Sequence, residues 1–372
     1  MNRTEPVPNI QVKPKERKLR SIYRTVITIL SLYFYISIPF VILALLLVVG
    51  IAFYIFLSIG TIPIQLGLIL IIMLFGSLIA IVRSVFSRVK NIPPGRQLSR
   101  IDAPELWKLV EDIAHKLQIR PVDAIYINPW PSIAVNENGS ILQKLRGQGK
   151  RNLILGMSVL PELTQGQLSA ILAHEYGHFS NQDTAGGDLA HQVYASLYQM
   201  AQRLIQARVT QIFNPVWLFV LGYQRLFLRV TLGASRLQEV LADRYAARTY
   251  GSQNFIDGLK SVIRQTIAFP IQANYEVNQA FGANRPVYNL YNLPAEENLK
   301  EEIEKQFQEA MDRVTSPYNS HPATKERIAL VERLQAPYSP MQENRQPALH
   351  LFPNYDALQL EMTGILMKNV KK

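Results

Sequence analysis

His174-Glu175-Tyr176-Gly177-His178 is the stretch on which the fold is decided. It reads H-E-x-x-H. On a helix, residues four apart sit about 6 Å along the axis and roughly 40° around it, so both histidines share a face. Two imidazoles so placed can grip one zinc ion, with Glu175 beside it to take a proton from an attacking water. The flanking residues predict that helix. Thr164-Gln165-Gly166-Gln167 has the form of a capping box, with Thr164 as N-cap and Gln167 reaching back to it. Leu168, Ile171 and Leu172 follow at helical spacing, while Ala170, Ala173 and Gly177 are small enough for close packing. The helix is expected from about Gln165 to Phe179 or Ser180.

Working outward, composition limits the class. The chain has 372 residues and a net charge of +11, with only 18% of residues charged. Its basic residues border an apolar block, which favours an anionic lipid surface as partner. No basic patch is interleaved with aromatics, which argues against nucleic acid. There is no cysteine, so disulfides, thiolate metal sites and cysteine nucleophiles are excluded.

From Thr25 to Val82 no side chain is charged. One membrane span takes about 20 apolar residues, so this block accommodates two spans and a tight turn at Ser58–Pro63. The first span is expected to begin near Ile38, with Val26 to Tyr35 lying at the interface. Arg3, Lys13, Lys15, Arg17, Lys18, Arg20 and Arg24 precede the block, and Arg83, Arg88, Lys90, Arg96 and Arg100 follow it. The turn carries none. By the positive-inside rule both ends face the cytoplasm, and with them the H-E-x-x-H helix.

After a linker over residues 91–100, a helix is expected from Pro104 to Leu117. Short strands are expected at Ala124–Ile127, Ile133–Val135 and Asn152–Leu155. Asn138-Gly139 and residues 146–150 read as turns of an exposed basic hairpin. Strands followed by a long helix point to an α+β domain with a small sheet. Between Ala190 and Ala234 the chain is helical and rather apolar, but Arg225 and Arg229 interrupt it. That suits a core or interfacial helix better than a full span. Residues 270–298 read as irregular, and the last 35 or so as a loosely packed tail.

A catalytic zinc takes three protein ligands and leaves one position open. Asn181 and Thr184 occupy the places where a metzincin would need glycine and a third histidine, so that layout fails. Asp183, Asp188 and His191 are the nearer candidates. Beyond Asp188 the next acidic residue is Glu239, four residues before Asp243. Like charges at that spacing repel by a few tenths of a kcal/mol on a helix. A solvated acidic face balanced by Arg236 and Arg244 would explain the pair. So would a metal role, with Glu239 as ligand and Asp243 orienting a ligand histidine. The upstream motif favours the metal.

At this point the chain resembles a family, the HtpX and CAAX-prenyl-protease metallopeptidases, which are membrane-associated and zinc-dependent. Leu168 through His178 is similar to the family's zinc helix. Ser235-Arg236-Leu237-Gln238-Glu239 with Ala242-Asp243 is similar to its S-R-x-x-E-x-x-A-D element. Ser320-His321-Pro322 with Arg327 is similar to its H-P-x-x-x-x-R element. The resemblance implies Glu239 as third ligand, Asp243 as the partner of a ligand histidine, Arg327 as the partner of Asp243, and His321 as a catalytic stabiliser of the developing oxyanion. It departs in two places. The family's edge strand often carries Asn-Ala-Phe, where this chain has Pro131-Ser132-Ile133-Ala134-Val135. HtpX proper has a transmembrane pair between the zinc helix and the Glu helix, and this chain has only the Arg-interrupted segment.

The expected fold class is α+β: a mostly helical zincin-like metalloprotease domain with a small sheet, preceded by a two-helix transmembrane hairpin. The expected organisation is a basic segment (1–24), the hairpin (25–82), a basic linker (83–100), a zinc metallopeptidase domain (101–335) and a tail (336–372). The expected reaction is zinc-dependent hydrolysis of unfolded or membrane-associated polypeptides, with one Zn2+ per chain. His174, His178 and Glu239 hold the metal, and Glu175 is the base. The substrate backbone adds to the edge at Ile133, Ala134 and Val135. The alternative is a catalytically silent membrane scaffold or a regulatory zinc module of the same fold.

Overall fold

The computed structural model describes residues 14–60, 63–85, 94–138, 148–180, 184–294, 296–315, 321–336 and 345–370. The expectations for residues 1–13, 86–93 and 139–147, and for Ser320, lie outside the described residues, as do the side chains of Asp183, Asp188 and His191. Two compact units are distinguished.

One unit comprises Val12–Lys90 and Ala185–Ser235. Its helices are α1 (Pro14–Ile59), α2 (Ile64–Val85) and, after the strands and helices of the other unit, α5 (Thr184–Gln206) and the first part of α6 (Pro215–Tyr250). Gly60, at φ 75°, ends α1 in the left-handed conformation that glycine adopts without strain. Phe34 and Leu45 of α1, Leu70 and Met73 of α2, Val193, Leu197, Met200 and Leu204 of α5, and Val216, Val220, Tyr223 and Phe227 of α6 form a common core. Their spacing of three or four residues puts them on one stripe of each helix. The outward faces of α1 and α2 are apolar too, with Phe40, Tyr54, Leu57, Ile64 and Phe75 all exposed. A helix that is hydrophobic all round belongs in a core or a membrane, and these two are not covered by protein. Both are long and apolar enough to cross a membrane. Helix α1 runs through Pro39 without interruption.

The other unit comprises Asn91–Thr184 and Arg236–Lys372. A four-stranded sheet is built from β1 (Arg96–Leu98), β2 (Ala124–Asn128), β3 (Ile133–Asn138) and β4 (Lys150–Gly156) in the order β1-β2-β4-β3. β2 and β4 are parallel, and the outer strands pair antiparallel. Thus three residues of the expected linker, 96–98, form a strand. Helix α3 (Pro104–Lys116) starts on proline, whose fixed φ suits a first turn, and buries Leu106, Trp107, Val110, Ile113 and Ala114. Helix α4 (Gln165–Ser180) has the predicted bounds. Its capping box is formed: the Gln167 N–H donates to Thr164 Oγ1 at 3.2 Å, and the Thr164 N–H to Gln167 Oε1 at 3.0 Å.

Helix α7 (Ser252–Gly282) contains Pro270, so residues 270–282 are helical where irregular chain was expected. Proline removes one hydrogen bond and crowds the preceding turn. Burial of Ala268, Phe269 and Ala273 around it holds the helix regardless. Helices α8 (Glu297–Asp312), α9 (Thr324–Glu332) and α10 (Tyr355–Val370) complete the unit. The expected loose tail is instead a packed helix. Leu358, Met362 and Leu366 are buried one turn apart, and Thr363 Oγ1 accepts the Leu290 N–H at 3.1 Å.

Candidate metal centre

The first two side chains come from α4. His174 and His178 lie one turn apart, with Nε2 atoms 3.4 Å from each other. The third comes from α6, which crosses close by because Gly177 has no side chain. A methyl there would lie 3.2 Å from both Cα and Cβ of Ala242. Glu239, one turn earlier on α6, therefore reaches the histidines. Its Oε2 is 3.5 Å from His174 Nε2 and its Oε1 is 3.4 Å from His178 Nε2. Among the described residues these three form a cluster able to hold a metal ion.

Those distances test the fit to zinc. A tetrahedral ion with bonds of about 2.0–2.1 Å has ligand atoms about 3.3–3.4 Å apart. The two imidazole nitrogens, 3.4 Å apart, match one edge of such a tetrahedron, and a Glu239 oxygen lies within 3.5 Å of each of them, Oε2 on the His174 side and Oε1 on the His178 side. Two imidazoles with one carboxylate is also a donor set that suits zinc.

A buried frame holds the three side chains. Asp243 Oδ1 lies 2.9 Å from His174 Nδ1, which leaves His174 Nε2 turned inward. Arg327 of α9 grips Asp243 with two hydrogen bonds, Nε to Oδ2 at 2.8 Å and Nη2 to Oδ1 at 2.7 Å. Its Nη2 is also 3.6 Å from Glu239 Oε2. Phe255 of α7, fully buried, stacks on the His174 ring at 5.7 Å between centroids and lies under the Arg327 guanidinium at 5.9 Å. Tyr176, on the opposite side of α4, accepts the Val122 N–H at 3.3 Å and ties the helix to the chain leading into β2.

The ionisation states follow from this frame. Burial would raise the Glu239 carboxyl, but the hydrogen bond from His321 and the charges of His174 and Arg327 hold it at about 2. Burial likewise opposes ionisation of Asp243, and the Arg327 hydrogen bonds outweigh it, to about 2. His178 is pushed down to about 4 by burial, reinforced by His174, so its lone pair is free at neutral pH. At His174 burial disfavours the cation, yet the hydrogen bond to Asp243 raises it overall. Burial raises the Glu175 carboxyl despite the Val135 N–H bonded to it.

His321 Nδ1 lies 2.8 Å from Glu239 Oε2, and its side chain is 59% exposed. Ile133, Ala134 and Val135 are on β3, which among the described residues is an outer strand hydrogen-bonded to β4 along one side. Sequence reasoning missed Phe255, because a buried aromatic on a helix carries no signal beyond core packing. It also missed the Val135 N–H, a backbone group that no residue type announces.

The sequence profile of peptidase family M48 matches residues 140–335, which span every ligand candidate and Arg327. A protease HtpX homolog of Salinibacter ruber is 20% identical over 243 residues, covering 64% of this chain and 77% of that protein. A protease HtpX homolog of Lactobacillus helveticus is 27% identical over 117 residues, covering 31% of this chain and 37% of that protein. Among solved structures, the crystal structure of S. mikatae Ste24p aligns with a TM-score of 0.33 and 14% identity, over 86% of this chain and 67% of that one.

Proposed function

The chain belongs to peptidase family M48, and on that premise we propose that it is a membrane-anchored, zinc-dependent endopeptidase of unfolded or membrane-associated polypeptides. The observation that carries the reading is the convergence of two imidazole nitrogens and one carboxylate, with one ligand atom from each within 4.8 Å of the others. His174, His178 and Glu239 would hold one Zn2+. The ion, when bound, supplies Lewis acidity that makes water acidic and polarises a carbonyl.

The protein's own groups do the rest. Glu175 follows a ligand histidine directly but is not one of the three. Its carboxylate takes a proton from the attacking water and hands it to the departing amine. The burial that raises its pKa makes it a stronger base for that transfer. Asp243 keeps the proton of His174 on Nδ1, so that Nε2 presents a lone pair. Arg327 fixes Asp243. His321, exposed beside Glu239, is positioned to donate a hydrogen bond to an oxyanion.

An extended peptide adds to the open side of β3 at Ile133, Ala134 and Val135, pairing through its backbone. The Val135 N–H bonded to Glu175 joins that edge to the base. Backbone pairing explains a preference for unfolded chains. Arg24 and Arg83, on the flanks of an uncharged hairpin, support a cytoplasmic position for the chain on either side of it.

The test is metal content together with cleavage of casein by the purified full-length protein. Wild type is expected to contain one zinc per chain and to lose cleavage on chelation, recovering with zinc. Glu175→Gln is expected to retain the zinc and to lose activity by about 10²–10⁴-fold. Unchanged cleavage by Glu175→Gln removes the proposed base. Stoichiometric zinc without cleavage by wild type leaves a regulatory zinc module.

A further inference from the structure

Helices α5 and α6, joined by the turn Ala207–Asn214, share one buried core with α1 and α2, and the tip of that pair rests against the middle of α2. A methyl on Gly76 would lie 3.2 Å from Val209 Cγ1 and 3.4 Å from Ala207 Cβ. Asn214 Nδ2 donates to Ser77 Oγ at 2.9 Å. Along α2, Gly76 and Ser77 are about 18 to 20 Å from Ile64 and about 12 to 14 Å from Val85. A bilayer has a hydrocarbon core of about 30 Å, and α2 is just long enough to cross it. The middle of α2 then lies near the bilayer midplane, and so does whatever touches it. We propose that α5 and α6 form a re-entrant hairpin. It enters the bilayer from the side on which Arg83 lies, turns near the midplane and returns, with the outer face of α6 against lipid acyl chains.

Three independent features fit that occupant. The tip and the start of α6 turn apolar side chains outward: Ile212 is 85% exposed, Phe213 44% and Leu218 52%. They continue the apolar outer face of α2, on which Phe75 and Ile79 are exposed. Several peptide groups of the turn find partners within the chain, although Gln211 Oε1 is buried without one. Gln211 Nε2 donates to the Arg208 carbonyl at 3.0 Å and Asn214 Nδ2 to the Val209 carbonyl at 2.6 Å, while Asn214 Oδ1 accepts the Val216 N–H at 3.0 Å. Each such bond lowers the cost of irregular backbone at membrane depth. Finally, exposed Tyr194 and Tyr198 on α5 and exposed Arg225 and Arg229 on α6 lie about 15 to 22 Å back from the turn. That is half a bilayer, the depth at which tyrosine and arginine favour the interface.

Gln202, Gln206 and Arg208 are exposed as well, so the pair lacks the hydropathy of an independent span. The core shared with α1 and α2 has to offset the cost of inserting them, which is largest for Arg208.

The chain contains no cysteine, so Ile212→Cys, Leu218→Cys, Phe75→Cys and Tyr288→Cys each create a single labelling site in the full-length protein. Phe75 is the reference within α2, and Tyr288, 74% exposed in the other unit, is the aqueous reference. Each variant carries a nitrobenzoxadiazole label in sealed vesicles of phosphatidylcholine and phosphatidylglycerol, with nitroxide placed at mid-acyl chain. The label at 212 is expected to be quenched to within about twofold of that at 75, well beyond the label at 288. Unlabelled Ile212→Cys should react about tenfold or more slowly than Tyr288→Cys with a charged, impermeant maleimide on either side. Leu218→Cys repeats both readings if the first variant misfolds. Fast reaction of position 212 from the side on which position 288 reacts overturns insertion. Fast reaction from the opposite side overturns the midplane turn and makes the pair a full span.

Discussion

The metal-centre unit and the four-helix unit both bury polar side chains, and they do so by opposite means. Around the metal centre the buried groups are ionisable: His174, Glu239, Asp243 and Arg327 lie within a few ångströms of one another, each facing a partner of complementary charge. In the four-helix unit the buried groups are neutral, with Asn214 bonded to Ser77 and to the backbone on either side of its turn. Burying an ion pair in place of apolar side chains seldom gains stability, and losing one partner is costly. A buried amide bonded on all sides carries no such risk. The difference teaches that charge enters this interior beside an opposite charge, around the groups that would hold a metal and again at Glu137, 3.8 Å from Arg151.

Three substitutions can break or sharpen that contrast. The largest expected effect is at Arg327→Ala, which leaves Asp243 buried without its cation. A loss of about 3–5 kcal/mol is expected, read from thermal unfolding of the purified protein, together with weaker zinc binding. A loss too small to measure would mean that Asp243 is solvated, and the contrast would fail. Next is Asn214→Ala, which strips partners from Ser77 Oγ, the Val209 carbonyl and the Val216 N–H. About 1–3 kcal/mol should be lost, with zinc affinity in a chelator competition unchanged. A change in zinc affinity would join two features that the contrast holds apart. The smallest is Phe255→Leu. Ring packing of this kind contributes about 0.5–1.5 kcal/mol, so zinc should bind about two- to tenfold more weakly. If affinity is unaltered, the stack on His174 is core filling and does not orient the ring.

The site was legible in the sequence further than the four-helix unit was. The two histidines are four residues apart on one helix, with the proposed base between them, so spacing alone sets the histidines' common face. Glu239 and Asp243 could be singled out because no acidic residue stands between Asp188 and Glu239. The capping box at Thr164 is local chemistry and was readable from four residues. The packing of α5 and α6 was not readable, because what holds the pair is a glycine and a serine on α2 more than a hundred residues earlier. Pro270 was misleading for a similar reason, since a local helix breaker is overruled by the burial of its neighbours. The helix at the C-terminal end was obscured because the polar residues Gln359 and Thr363 are buried among its apolar ones, bonded to Asn289 and Leu290.

The capping box has one more consequence, which concerns rotation. A helix turns by about 100° per residue. Thr164 fixes where α4 begins, and so fixes the azimuth at which His174 and His178 emerge ten and fourteen positions later. Deleting a single residue between Thr164 and His174 would swing both imidazoles away from Glu239 while leaving the helix, its length and its composition almost intact. The opening turn of α4 is therefore the index mark from which the aim of the histidines is measured.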